Sequence, residues 1–207
     1  LEKRVGKETQ YHSIAPGVRE IELEQRDLAR RSLGIEDEVR PILVWMARVT
    51  AVKAPLRVIE IAKAIPEARF LLAGGGDLLE EVKRDAPKNL TVLGWQEASK
   101  IWAVADLALS TSENEGMPVA LIEAQLAGIP VVAVDVGSVA EVVADGQSGY
   151  VFDRFGAAYI QKVRELTLEN LQLKALGQRA KMRAKAEFSP EKLINSHLSL
   201  FDEILSR

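Results

Sequence analysis

The 207-residue chain contains no cysteine and only two histidines, and aromatic residues make up 5% of it. Without thiols there is no disulfide framework and no thiolate-bound metal, a composition in keeping with a reducing cytoplasm. His12 and His197 have no partner at the offsets of a metal site or a catalytic triad, so both read as structural or surface groups. No His-x-x-x-His or Asp-x-Asp metal motif is present. No apolar run approaches the ~20 residues that a membrane-crossing helix needs. The net charge of -3 provides no broad positive field, which argues against nucleic acid as a partner. The chain opens on Leu1-Glu2-Lys3-Arg4 with neither methionine nor a signal or transit pattern, as a piece of something longer does.

What is present is the composition of a globular domain: 47% hydrophobic and 28% charged residues, at a length that suits one well-cored domain and is marginal for two. Short apolar, β-branched runs at Ile42–Met46, Arg69–Ala73, Leu90–Leu93, Leu107–Ser110, Val131–Val134 and Tyr150–Phe152 read as strands. Amphipathic stretches near 54–65, 77–85, 97–104, 118–127 and 138–144 separate them. That alternation predicts βαβ units with right-handed crossovers, hence an α/β, doubly wound, mostly parallel six-stranded sheet of Rossmann-like type. Residues 157–187 read as helical, and Ser189-Pro190-Glu191 signals the start of one further helix. The expected division is a Rossmann-like domain over 1–188 and a C-terminal helix over 189–207, with Leu193, Ile194, Leu198, Phe201 and Ile204 on one apolar face.

The most informative stretch runs from Ser112 to Ala124. It sets Glu115 and Glu123 on either side of Gly116-Met117-Pro118, between two strand-like runs. A helix N-terminus presents free backbone N–H groups and partial positive charge, which suits phosphate oxygens. Pro118 fits a first helical position, Gly116 allows close approach to the backbone, and Gly128 suits the helix exit. Glu115 then stands at the mouth of the site, with Glu123 about one and a half turns further along. Arg48, Gly74, Gly94, Ser112 and Asp135 each follow a predicted strand, where ligands bind in doubly wound sheets.

This segment, EGMPVALIEAQLAGIPVVA, resembles the signature of the group-1 retaining glycosyltransferases of GT-B architecture. The resemblance extends over roughly residues 14 to 153, through Arg48 and Lys53, the Gly74-Gly75-Gly76 run, Val92-Leu93-Gly94, Asp135-Val136-Gly137, Glu141 and Asp145-Gly146. It implies the donor-binding half of such an enzyme, with the N-terminal acceptor domain missing and the last helix returning toward it. The implied donor is a nucleoside-diphosphate sugar such as a UDP- or GDP-sugar, with no metal required. Arg48 and Lys53 would meet the diphosphate together with amides near Gly116 and Met117, and Glu123 the ribose. Glu115 would stand by the transferred sugar. Arg48, Lys53 and Glu115 are thus the candidate catalytic residues, and Gly74, Gly94, Trp95, Gly116, Met117, Pro118 and Glu123 the candidate donor-binding ones. The domain by itself is expected to transfer little sugar.

Several features carry two readings. Gly74-Gly75-Gly76 fails as a dinucleotide fingerprint, because Leu79 stands where a third spaced glycine belongs, so it is a loop beside the donor pocket or a plain turn. Trp95 is either partly core or, by resemblance, part of a loop lining the nucleobase. Ala54-Pro55 after Lys53 departs from the family pattern, as does Gly137-Ser138 in place of Gly-Gly. Arg179, Lys181, Arg183 and Lys185 fall on every second residue, which scatters them around a helix as a solvated face; weak peripheral attraction to anionic lipid at the inner membrane face is the alternative. For the whole, a non-hydrolysing sugar-nucleotide epimerase and a non-catalytic nucleotide- or partner-binding module are the rival readings.

Overall fold

The computed structural model describes residues 12–36 and 38–206, so the Leu1-Glu2-Lys3-Arg4 opening lies outside the described residues. Six strands form one sheet: β1 (Ile42–Met46), β2 (Arg69–Ala73), β3 (Leu90–Gly94), β4 (Leu107–Ser110), β5 (Val131–Val134) and β6 (Gly149–Phe152). Their order is β3-β2-β1-β4-β5-β6, and every pairing is parallel. The helices are α1 (Arg26–Ser32), α2 (Leu56–Ala64), α3 (Leu79–Asp85), α4 (Ala98–Val104), α5 (Val119–Leu126), α6 (Val139–Val142), α7 (Ala157–Leu168), α8 (Asn170–Glu187) and α9 (Pro190–Leu205).

The strands are apolar on both sides because both faces are covered. Ile42, Val44, Leu71, Ala73, Ala108, Val131 and Ala133 point into one core with residues of α1, α4, α5 and α6. Leu43, Trp45, Phe70, Leu72, Leu107, Leu109, Val132 and Val134 point into the other with α2 and α7. Side chains alternate across the pleat, so a single strand feeds both cores and a one-residue slip would exchange them. Tyr159 plugs the second core, and its phenol donates to the carbonyls of Ser110 (3.2 Å) and Val132 (2.9 Å).

Three departures from the sequence reading have physical causes. The 157–187 stretch is two helices, since Glu169 (φ -116, ψ 69) breaks it. The break lets α8 start with Leu173 and Leu176 in the second core and finish with Ala184 and Phe188 in the first. Pro118 is the residue before α5 rather than its first, with an extended backbone (φ -76, ψ 95). Helix α1, which no periodicity announced, is held by Arg26, whose guanidinium meets Asp106 at 2.8 Å. The predicted start of α9 is present: Ser189 accepts from the Lys192 amide, with Pro190 at the first helical position.

The basic run on α8 is engaged within the chain. Arg179 donates to the Gln147 carbonyl, Arg183 to those of Glu141 and Val142, and Lys181 and Lys185 both reach Glu20 at 2.8 Å. Among the described residues no helix is long and apolar enough to cross a membrane.

Candidate functional site

The strand order reverses direction between β1 and β4, and a crevice opens there beyond their carboxyl ends, the place where such sheets bind ligands. A pocket of about 500 Å³ occupies it, lined among others by Arg48, Lys53, Ser112, Glu115, Met117 and Pro118. Arg48 and the trio Glu115, Met117 and Pro118, over sixty positions apart in the chain, therefore face the same space. Gly74, Gly94, Trp95, Gly116 and Glu123 are not part of this lining.

Each side of the pocket is fixed by buried contacts. Lys53 ends a single 3-10 turn (Ala51–Lys53), and the next residue, Ala54, takes a left-handed backbone with φ of 47°. That conformation is costly for a residue with a β-carbon, and a buried clamp holds it. Thr111, fully buried after β4, has its hydroxyl 3.1 Å from the Lys53 carbonyl and 3.0 Å from that of Ala54, while accepting from the Trp45 indole N–H at 2.9 Å. Pro55 immediately precedes α2, so the Ala54-Pro55 departure is accommodated by a left-handed turn and a helix start. Glu113 donates its amide to the Val52 carbonyl, and Arg57 binds both the Thr111 carbonyl and the Glu113 carboxylate while stacking on Phe155.

Glu115 is held at its carboxylate: Lys53 Nζ lies 2.6 Å from Oε1, and Ser112 Oγ donates to the same oxygen at 2.7 Å. Ser112 is buried; its place after a strand was legible, and the Ser-x-x-Glu spacing, which lets a hydroxyl reach an acid one turn away, is the signal that could have tied it to Glu115. Arg48 is exposed, and its guanidinium makes no hydrogen bond or ion pair among the described residues. The backbone N–H groups of Gly116, Met117, Val119 and Ala120 likewise donate to no acceptor among the described residues. An uncommitted guanidinium and four uncommitted amides beside one crevice can receive a polyanion without breaking an existing bond.

The remaining candidates surround this pocket. Gly74 has φ of 146°, and a β-carbon there would stand 3.0 Å from the Ala47 carbonyl carbon and closer still to its oxygen. Gly76 is under the same restriction from Val49. The glycine run therefore lies against the backbone of the loop that carries Arg48. The Gly74 amide in turn donates to the Gly94 carbonyl at 2.7 Å, and Gly94 has φ of 72°. Trp95, at the tip beyond it, is 77% exposed, so the core reading of this residue is wrong. The buried tryptophan of that region is Trp102 on α4.

Glu123 sits beyond the pocket lining on α5, half-buried beside Trp102. Burial raises its carboxyl above the usual carboxylate range, and the approaching Trp102 indole N–H offsets this only in part. That N–H is buried and lacks a fully aligned acceptor among the described residues.

A doubly wound parallel sheet with this strand order and a cation- and amide-lined crevice at its switch point defines a Rossmann-like, ligand-binding α/β domain. The chain belongs to the family described as glycosyl transferases group 1, whose model matches residues 25–183. It is similar to N-acetyl-alpha-D-glucosaminyl L-malate synthase of Bacillus anthracis, at 29% identity over 87% of this chain and 50% of that one. D-inositol 3-phosphate glycosyltransferase of Mycolicibacterium smegmatis is 30% identical over 62% of this chain and 32% of its own. The chain thus spans half or less of the length of these curated relatives. Sucrose-phosphate synthase from Thermosynechococcus elongatus shares the fold, with a TM-score of 0.85 at 21% identity over all of this chain and 55% of that one. Anabaena HepE in complex with UDP-glucose does so with a TM-score of 0.73 at 18% identity, over 88% of this chain and 52% of that one.

Proposed function

We propose that this chain is the donor-binding part of a retaining glycosyltransferase that takes sugar from a nucleoside-diphosphate sugar to an acceptor hydroxyl. The observation that carries the reading is the convergence of Arg48, Lys53 and the free amides before and within the start of α5 on one crevice, with Glu115 in its wall. The anabaenal neighbour holds UDP-glucose, which supports a uridine or related nucleotide sugar as the ligand class.

In this reading Arg48 and the 116–120 amides hold the diphosphate, and Lys53 bridges between it and Glu115. The bond between the sugar's anomeric carbon and the β-phosphate oxygen breaks while one to the acceptor oxygen forms. The acceptor proton passes to the departing phosphate on the same face. Negative charge grows on that phosphate, and donors fixed in advance stabilise it there; the removal of one such donor in comparable sites costs ~3 kcal/mol of transition-state stabilisation. Protein cations and amides supply the charge, so no metal is required. Glu123 takes the ribose hydroxyls, and the Gly94-Trp95 loop borders the base. The acceptor is bound by a second domain, and the site faces the cytoplasm.

Isothermal titration with UDP, GDP and ADP tests this. Arg48→Ala should weaken the nucleotide that binds by roughly 10- to 100-fold, the worth of a charge-assisted hydrogen bond, with thermal stability unchanged because Arg48 is exposed and unpaired. Glu123→Ala should also weaken it. Equal heats from the wild type and both variants would remove the assignment.

A further inference from the structure

Glu115 is anchored at both its ends, and only one of the anchors is a charge. On the backbone side, the loop after β5 presses directly on it. Gly137 has φ of 60°, and a β-carbon there would stand 2.7 Å from the Glu115 carbonyl carbon, 3.3 Å from its Cα and closer still to its carbonyl oxygen. The next residue closes the seam, with the Ser138 amide donating to the Gly116 carbonyl at 3.2 Å. On the side-chain end, the Ser112 hydroxyl donates to Glu115 Oε1 at 2.7 Å from a buried position.

We infer that Gly137 and Ser112 are positioning residues for Glu115, the first setting its backbone and the second its carboxylate. The inference rests on the reading above that Glu115 faces the transferred sugar, and it adds what fixes that carboxylate in place. The backbone seam is as close as two chains can lie, so any side chain at 137 must displace the 115–116 peptide, the loop after β5, or both. The carboxylate is a separate matter: without the Ser112 hydroxyl, Lys53 alone holds Oε1, and a lysine ammonium is a point charge that tolerates several orientations. Loss of the Ser112 anchor should therefore cost the sugar's share of the binding and spare the diphosphate's, which rests on Arg48 and the amides, whereas a displacement at 137 also moves the Gly116 amide and costs part of both.

Gly146 supplies the matched control. It too is left-handed, with φ of 68°, but a β-carbon there meets nothing within 4 Å. Gly137→Ala and Gly146→Ala thus carry the same backbone strain, and only the first carries the collision. Binding is measured by calorimetry with UDP and UDP-glucose, and with GDP and GDP-mannose. In Ser112→Ala the ratio of sugar-nucleotide to nucleotide affinity should fall toward one, with the affinity for the nucleotide alone changing less than about twofold; in Gly137→Ala the ratio should fall as well, with part of the nucleotide affinity lost through the shifted Gly116 amide. Ser112→Thr should restore the ratio, and Gly146→Ala should leave it as in the wild type. A ratio unchanged in Gly137→Ala and Ser112→Ala overturns the inference, as does an equal loss for nucleotide and sugar nucleotide in Ser112→Ala.

A second readout needs no ligand. In ¹H–¹⁵N spectra the Glu115 and Gly116 amides should move in Gly137→Ala and stay in Gly146→Ala; identical spectra at those positions would sink the positional claim by themselves. Should Gly137→Ala not fold, the Ser112 pair decides, through the ¹³C shift of the Glu115 carboxylate. A wild-type chain that binds no nucleotide at all refutes the donor-site reading, while these amide shifts still report whether Gly137 sets Glu115.

Discussion

Replacing Gly177 by alanine opposes two effects of opposite sign. Gly177 lies inside α8, where alanine is normally the better residue by about 1 kcal/mol, since it loses less backbone entropy on folding. At this position, however, the helix crosses the exit of α5. A β-carbon on residue 177 would stand 3.1 Å from the Gly128 carbonyl carbon, closer still to its oxygen, and 3.4 Å from Pro130 Cδ. Backbone oxygen cannot swing aside as a side chain can, so α8 must retreat from the 128–130 segment by on the order of 1 Å. Overpacking of this kind costs about 1–3 kcal/mol. Packing wins over most of that range, and the net loss is up to ~2 kcal/mol. For 207 residues the entropy of unfolding is on the order of 0.4 kcal/mol/K, which converts the loss to a fall of up to about 5 °C in Tm. If propensity won instead, Tm would rise by ~2 °C. Differential scanning calorimetry separates the two outcomes, with the exposed neighbour Gln178→Ala as the reference for propensity alone. A Gly177→Ala protein more stable than the wild type refutes the packing argument.

Three further outcomes follow from the buried polar groups. Thr111→Val strips the partner from the Trp45 indole N–H and releases the left-handed turn at Ala54. One orphaned buried donor and one lost bond cost roughly 2–3 kcal/mol, so thermal unfolding should come ~5–7 °C earlier, with nucleotide binding weakened through Lys53. Glu123 has its carboxyl raised in the folded chain by burial, so its ionised form costs stability, and that cost appears as pH rises through its folded value. Glu123→Gln should accordingly have a higher Tm than the wild type at pH 7 and one equal to it near pH 4, measured by calorimetry at both; a lower Tm at pH 7 would reverse the sign. Glu38 is the opposite case, held down to about 2 chiefly by its hydrogen bond from the Arg40 side chain. Its stabilisation is present above the ordinary carboxylate value and fades as pH falls from about 4.5 toward 2. Because the pair is partly exposed it is worth ~1 kcal/mol or less, and in urea titrations from pH 5 to 2.5 wild type should lose this margin over Glu38→Gln; parallel curves would show the pair contributes nothing.

Much of the fold could be read from the chain because the strands are buried on both faces. Four of the six predicted strand spans match, and β3 and β6 each gain one glycine, Gly94 and Gly149. A continuous apolar run four or five residues long between helical periods has few other uses. The elements that escaped notice depend on distant partners. Helix α1 rests on Asp106, some eighty residues away, and the break at Glu169 matters only because α8 must cross between two cores. Trp95 and Trp102 show the same limit: seven residues apart, one is exposed at a loop tip and the other buried under α5, and nothing local distinguishes them. In the site, the Arg48 and Glu115 segments announced themselves by spacing. Thr111 and Arg57 did not, since holding a turn through a carbonyl leaves no periodicity.

Val18, which follows Gly17 in the segment ahead of α1, packs against the first core. The Val18 amide donates to the Phe188 carbonyl at 2.7 Å, and a β-carbon on Gly17 would lie 2.8 Å from Pro190 Cα. The strand-and-helix body between these points is thus closed by a clasp, its way in and way out touching each other. A module so fastened can be lifted out as a cassette and set into a surface loop of a host protein, or reopened elsewhere by circular permutation, with no gap to span.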